Sequence, residues 1–191
     1  AVINGDTETG ITTFFLEQGM DTGKVIQQVR VPIADTDNVG MVHDRLMILG
    51  GKLVLETVDA ICEGNITPIS QDKIAGFDVL RPAPKIFKET CIINWNQTTK
   101  QVYDFIRGLS PYPAARTNIK NTKGEDIEFK IYETRKINAS HSITPGRIQS
   151  DGKSYLRFTT TDGFIDITEL QQAGKKRMSV SDFLRGFHLP N

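Results

Sequence analysis

A proline-containing stretch between residues 65 and 90 most constrains how this chain can fold. Pro68, Pro82 and Pro84 each lack a backbone N–H, so neither a continuous helix nor a central strand can run through them. The sequence therefore predicts two domains, residues 1–66 and residues 87–191, joined by a linker at 67–86.

The charge changes sign across the same stretch. Residues 1–80 carry 5 Lys and Arg against 12 Asp and Glu, whereas residues 81–191 carry 18 against 11. The formal net charge of zero therefore averages an acidic part and a basic part. Because a basic domain is typical of proteins that bind a polyanion, we expect the second domain to contact RNA.

The first domain has the pattern of an α/β structure. Ile11–Leu16 and Lys24–Ile33 are β-branched or alternate in polarity, which predicts two strands. Asp35–Asn38 offers N-cap oxygens before a long segment with one apolar helical face, and Gly64 is placed to end that helix.

The second domain begins with a helix and continues as short strands. Thr98 and Gln101 have the spacing of a capping box, which predicts a helix start. Further segments show strand alternation, a hairpin turn and a final N-cap; they are Ile127–Ile131, Tyr155–Thr161, Asp162-Gly163, Phe164–Leu170 and Ser179. This pattern predicts a small OB-like β-barrel.

Composition excludes several classes of protein. The chain has no run of 18 apolar residues, which predicts no transmembrane helix and no membrane partner. Cys62 and Cys91 are its two cysteines, too few for a disulfide framework, and no Cys/His cluster has zinc spacing. We therefore expect no metal site and a cytoplasmic location.

Asp21-Thr22-Gly23 follows the first predicted strand and is the strongest candidate for chemistry. A carboxylate in such a turn can accept or orient a proton. The alternative interpretation is that these residues form a plain Asp-Gly turn with only a structural role. An aspartic protease needs two such carboxylates, and the chain has one. A protease would therefore have to be a homodimer.

Basic residues in and after the linker are candidates for phosphate contact, because clustered cations displace counterions from a nucleic acid. They are Lys85, Lys88, Arg107, Lys175, Lys176, Arg177 and Arg185. A solvated basic surface is the alternative interpretation of these residues.

Several segments, taken in order, resemble the methionyl-tRNA formyltransferase family. They are Asp6–Thr12, Met20–Gly23, Ala83–Ile86, Ile92–Trp95, Ile106–Ala114 and Gln172–Met178. The resemblance spans nearly the whole chain. It implies a remnant of a Rossmann-like formyltransferase domain followed by an OB-like domain that binds tRNA.

The resemblance also implies a reaction. The formyl group of 10-formyltetrahydrofolate passes to the amino group of methionine on initiator tRNA, in translation initiation. Asp21 matches the family's catalytic aspartate, and Gly19 and Met20 border the folate pocket beside it. The family's Asn-x-His pair lies upstream, but only 20 residues precede Asp21 and none is His.

The chain therefore resembles the C-terminal portion of such an enzyme, and we expect it to be inactive alone. We also expect its long helix to leave apolar surface uncovered, with self-association or local disorder as the consequence. Two alternatives stay open. One is another folate-dependent enzyme that formylates a sugar nucleotide or hydrolyses the formyl group. The other is a non-catalytic OB-like module that binds RNA.

Overall fold

The structure, a computed structural model, describes residues 1–74 and 82–189; the remainder of the predicted linker, 75–81, lies outside the described residues. The strands are β1 (Glu8–Phe14), β2 (Val25–Pro32), β3 (Ala115–Lys120), β4 (Asp126–Ile137), β5 (Ile148–Ser150), β6 (Leu156–Thr159), β7 (Phe164–Gln172) and β8 (Met178–Ser179). The α-helices are α1 (Val39–Cys62), α2 (Thr99–Leu109) and α3 (Val180–Gly186). Short 3-10 helices span Val2–Asn4, Gln71–Lys73 and Glu89–Cys91.

The chain forms two compact units. The larger unit contains Ala1–Asp6, Thr36–Gly40 and Ile86–Asn191; the smaller unit contains Thr7–Asp35 and Met41–Lys85. The domain boundaries at 66 and 87 stay a prediction.

In the smaller unit, β1 and β2 pair as an antiparallel hairpin, from Glu8 opposite Pro32 to Phe14 opposite Val25. Helix α1 contacts this hairpin through Thr57, whose hydroxyl lies 3.0 Å from the hydroxyl of Thr13 and 2.8 Å from Gln27 Oε1. The two predicted strands and the long helix are thus confirmed as elements.

The larger unit is built on a six-stranded antiparallel sheet in the order β3-β4-β7-β6-β5, with β8 paired to β7. Register shifts on either side of Glu133 interrupt the pairing of β4 with β7. The predicted strands β4, β6 and β7 and the turn at Asp162-Gly163 are confirmed. Strands β3, β5 and β8 were not predicted; β5 and β8 have three and two residues, too few for an alternation to stand out.

The core of the larger unit lies between the sheet and helices α2 and α3. It is formed by side chains that are almost fully buried: Val102, Ile106, Leu109, Phe129, Ile131, Leu156, Phe158, Ile165, Ile167, Leu170, Phe183 and Leu184. Trp95, the only tryptophan of the sequence, stacks on Phe158 with ring centroids 4.1 Å apart. Its fluorescence is therefore sensitive to the packing of this core.

Helix α2 begins at the predicted capping box. The Thr98 hydroxyl accepts a hydrogen bond from the Gln101 backbone N–H at 3.3 Å, and the Thr98 backbone N–H donates to Gln101 Oε1 at 3.0 Å. At the other end of α2, a Cβ at Gly108 would lie 2.5 Å from Ile3 Cγ1. The N-terminal 3-10 helix therefore packs directly on the backbone of α2.

Among residues 1–74 and 82–189, no helix has both the length and the apolar character to cross a membrane.

Candidate functional site

The connection between β1 and β2 carries the Asp21 motif. The Thr22 hydroxyl donates to the Gly19 carbonyl oxygen at 3.1 Å, which closes the turn. A Cβ at Gly23 would collide with the carbonyl oxygen of Phe15, so only glycine fits there. The hydrogen bond from Thr22 and the close approach of Gly23 to Phe15 thus hold the connection in a turn that contains Asp21.

Asp21 has a left-handed backbone conformation, with φ at 57°. Asp and Asn tolerate this region better than other non-glycine residues. The side chains of Met20 and Asp21 are exposed, with Met20 at 90%. The turn therefore presents a carboxylate and an apolar side chain to solvent.

Gln71 holds this turn from outside the hairpin. Its Nε2 donates to the carbonyl oxygens of Asp21 at 2.8 Å and Gly23 at 2.9 Å. Sequence reasoning missed Gln71, because it lies 50 residues from Asp21, in the segment that the sequence predicts as a linker. The nearby antiparallel bridge between Val25 and Ile69 brings that segment to the hairpin.

The basic triplet lies at the turn that follows β7 in the larger unit. Gly174 enters the turn with φ at +73°, and the next two residues, Lys175 and Lys176, are exposed. The carbonyl oxygen of Lys175 accepts a hydrogen bond from Gln171 Nε2 at 2.7 Å. The turn is therefore anchored while its two lysine side chains face solvent.

Arg177, the third member of the triplet, points back to the sheet. It pairs with Glu169, lies 3.3 Å from Glu133 Oε1, and covers the Tyr132 ring at 4.4 Å from the centroid. The hydrogen bond to Glu169 raises the pKa of Arg177 above its ordinary value. Its charge is thus largely compensated within the sheet.

The remaining exposed cations lie at separate places. Lys88 Nζ is 3.5 Å from Glu128 Oε2, and Arg185 Nη1 is 3.1 Å from Asp182 Oδ1. Lys85 is exposed in the smaller unit. Pairs of this kind at the surface are weak and leave the lysine and arginine side chains able to exchange partners.

Arg107 departs from its expected role. Its side chain is buried, with the residue 7% exposed. Its Nε donates to Asp104 Oδ1 and its Nη1 donates to the carbonyl oxygen of Asp37, both at 2.8 Å. A guanidinium held in this way cannot reach a phosphate without breaking a buried ion pair, so we do not retain Arg107 as an RNA contact.

In the part of the chain that the structure describes, no group of three or more His, Cys, Asp or Glu residues is arranged to hold a metal ion. The free cysteines, Cys62 and Cys91, are exposed and buried respectively.

Comparison with known proteins shows matches to two models of one protein family. Residues 1–58 match the model described as "Formyl transferase", and residues 85–188 match "Formyl transferase, C-terminal domain". The chain is 61% identical over 99% of its length to a protein of Bacteroides fragilis named "Methionyl-tRNA formyltransferase". A protein of Phocaeicola vulgatus with the same name is 62% identical over 98% of the chain.

The chain spans 58% of the length of these two relatives. Among solved structures, a HypX variant from Aquifex aeolicus has a TM-score of 0.65 at 18% identity, covering 97% of this chain and 33% of that one. An N-formyltransferase from Helicobacter canadensis, in complex with folinic acid and dTDP-3-aminofucose, has a TM-score of 0.61 at 19% identity, covering 90% of this chain and 58% of that one. At these low sequence identities, the two TM-scores show that the fold is shared and nothing more.

The match to the C-terminal-domain model alone covers more than half of the chain. The match to the "Formyl transferase" model lies before it in the sequence. This protein therefore belongs to the formyltransferase family.

Proposed function

We propose that this chain serves the transfer of a formyl group from 10-formyltetrahydrofolate to the amino group of methionyl initiator tRNA. The observation that carries the proposal is the 61% identity over 99% of the chain to a protein named "Methionyl-tRNA formyltransferase". Formylation of the initiator places the whole enzyme in translation initiation and in the cytoplasm.

Asp21 is the proposed catalytic residue of this chain. In the reaction, the methionyl amine attacks the formyl carbon, the bond from that carbon to the folate nitrogen breaks, and the amine proton moves to the nitrogen that leaves. An exposed carboxylate in an anchored turn is suited to orient and move that proton. Two observations support this role of Asp21. Its side chain is exposed, and Gln71 donates hydrogen bonds to the carbonyl oxygens of Asp21 and Gly23.

The same turn is the proposed border of the folate site. Gly19, Met20 and Asp21 offer backbone polar groups and an apolar thioether side chain, which suit a flat, partly polar heterocycle. The folate is a substrate that supplies the formyl group, and the turn's role is to bind and orient it.

The two units have proposed fold assignments of their own. The hairpin with α1 is proposed as part of a Rossmann-like formyltransferase domain, and the six-stranded antiparallel sheet as an OB-like domain that binds tRNA. On the larger unit, the proposed tRNA contacts are the exposed cations Lys88, Lys175, Lys176 and Arg185. Lys85, in the smaller unit, is a further one, whereas Arg177 contributes less because acidic partners already compensate it.

Activity can be tested in a chimera that joins the unmatched remainder of the Bacteroides fragilis relative to this chain. We expect the chimera to formylate methionyl initiator tRNA from 10-formyltetrahydrofolate, measured by the shift of the charged tRNA on an acid gel. The chain alone should bind the same tRNA but transfer no formyl group. A parallel assay with dTDP-3-aminofucose as acceptor tests the sugar-nucleotide alternative.

Transfer to the amino sugar without transfer to the tRNA would overturn the proposal in favour of a sugar formyltransferase. Binding of tRNA by a chimera that transfers formyl groups to neither acceptor would favour the non-catalytic RNA-binding module.

We also propose that copies of this chain associate through helix α1. Several of its apolar side chains are exposed, including Met47, Ile48, Val54, Leu55 and Val58. Such a row of apolar side chains is unfavourable in water and is typical of an interaction surface.

Sedimentation velocity of the chain should therefore show a dimer or larger species at high protein concentration. Leu55→Glu, at a position 68% exposed, should shift the protein to monomer because it places a charge in the apolar surface. The matched variant Lys52→Gln, which changes an exposed residue of the same helix, should not. A wild-type chain that stays monomeric contradicts the proposal.

A further inference from the structure

A polar pocket opens on the larger unit, beside strands β3, β4 and β7. Its volume is about 310 Å³, and its lining includes Arg116, Glu128, Lys130, Gln171 and Gly174. Arg116 lies opposite Lys130 in the register of β3 and β4, and Lys130 lies opposite Gln171 in the register of β4 and β7. Residues opposite each other project from the same face of a sheet, so two cations converge on this pocket.

The cations of the pocket exceed its acidic charge. Glu128 lies 2.5 Å from Arg116 Nη1 and 3.5 Å from Lys88 Nζ, so one carboxylate faces two basic side chains. Within residues 1–74 and 82–189, Lys130 has no ion-pair partner. The pocket lining therefore carries two cations, Arg116 and Lys130, and one anion, Glu128, and Lys88 adds a third cation beside Glu128.

Arg116 also has an unused donor. Its Nε is buried and has no hydrogen-bond partner among the described residues, although Nη1 donates to Glu128. A buried N–H without a partner is costly, and buried polar groups in folded proteins are nearly always hydrogen-bonded. Because solvent does not reach Nε, an anion in the pocket would interact with the positive charge of Arg116 and not with this buried donor.

The rim of the pocket joins the basic turn described above. Gln171 accepts a hydrogen bond from the Tyr132 hydroxyl at 2.7 Å and donates to the Lys175 carbonyl oxygen, also at 2.7 Å. Gln171 thereby fixes the turn at Gly174 next to the pocket. Lys175 and Lys176 extend the positive surface beyond it.

We propose that this pocket binds a phosphodiester group of the RNA backbone, with Arg116 and Lys130 as the phosphate-binding residues. The inference rests on the proposed function, since it assigns a specific contact to the tRNA. Arg and Lys are the side chains that hold phosphate oxygens. Because the positive surface continues from the pocket to Lys175 and Lys176, it suits a polymer with successive phosphates better than a single small anion.

The test measures the affinity of the full 191-residue chain for methionyl initiator tRNA between about 50 and 200 mM salt. Lys130→Ala and Arg116→Gln should each weaken binding about tenfold at the low-salt end. Each should also make the slope of log affinity against log salt shallower by about 1, since each removes one phosphate contact. Lys153→Ala, which removes one exposed charge from the loop between β5 and β6, is the matched control and should leave the slope unchanged.

Folding is controlled separately. Arg116 pairs with Glu128, so its replacement can disturb the sheet, whereas Lys130→Gln keeps a polar side chain and disturbs no ion pair. The fluorescence of Trp95 should show the same unfolding midpoint for wild type, Lys130→Ala and Lys130→Gln. Weakened binding by these two folded variants then supports the phosphate contact.

Three results would count against the inference. If the wild-type chain does not bind the tRNA, both this inference and the proposed function fail. If it binds and the Lys130 variants match Lys153→Ala in affinity and slope, only the pocket assignment is overturned. If inorganic phosphate binds in a Lys130-dependent manner while the tRNA affinity of Lys130→Ala is unchanged, the pocket is a site for a small free anion instead.

Discussion

Replacing Asp21 with asparagine is expected to lower the rate of formyl transfer by roughly 10²- to 10⁴-fold in the chimera, the range that general acid–base catalysis contributes. Asparagine has the same shape and tolerates the left-handed backbone found at this position. The substitution therefore removes the charge and the proton acceptor while the turn is retained. Single-turnover rates at saturating tRNA and folate measure this effect directly.

The affinity for tRNA should not change in Asp21→Asn, because the proposed phosphate contacts of the larger unit are untouched. Asp44→Asn, an exposed carboxylate in the same smaller unit, is the matched control and should retain the wild-type rate. Gln71→Leu should lower the rate less than Asp21→Asn, since it loosens the turn and leaves the carboxylate in place. An Asp21→Asn rate within twofold of wild type would remove Asp21 from the catalytic role.

Replacing Arg107 with methionine is expected to destabilise the larger unit by about 3 kcal/mol, because it leaves the carboxylate of Asp104 buried with one partner fewer. The side chain of Asp104 is only 4% exposed. The same substitution also removes the hydrogen bond to the Asp37 carbonyl oxygen. Urea unfolding followed by Trp95 fluorescence measures the change, since that residue lies against the core.

Lys100→Ala provides the comparison. Lys100 also pairs with Asp104, at 2.5 Å, but its side chain is 61% exposed, so its loss should cost less than about 1 kcal/mol. In both variants, the salt dependence of tRNA binding should equal that of wild type. A shallower salt slope for Arg107→Met without loss of stability would return Arg107 to the RNA-binding surface.

Much of the secondary structure was predictable because its signals are local. The capping box of α2 needs only Thr98 and Gln101, three residues apart, and the hairpin between β6 and β7 needs only Asp162-Gly163. Strand β3 was missed because its buried positions, Ala115, Thr117 and Ile119, mix polar and apolar side chains. Its position in the sheet depends on pairing with β4.

In the candidate sites, too, features with a local sequence signal were found and features that depend on distant residues were missed. The Asp21 turn was found because the motif and the glycine that it requires are adjacent in sequence. Gln71, which anchors the turn, and Lys130, which faces Arg116 across two strands, were missed because their partners are distant in sequence or set by sheet register. Charge counting likewise placed Arg107 among the RNA contacts, although its burial could not be read from composition.

The sequence by itself determined the main helices and strands, the tight turn around Asp21 and the basic character of the second half, because each depends on neighbouring residues or on a simple count. Only the tertiary structure decided which cations are available. Arg107 is buried and bonded to the Asp104 carboxylate and to the Asp37 carbonyl oxygen, and Arg177 is paired with acidic residues on adjacent strands. Arg116 and Lys130 are brought together by strand register. The physical reason is that the availability of a charge depends on its burial and its ion partners, which are properties of the folded domain.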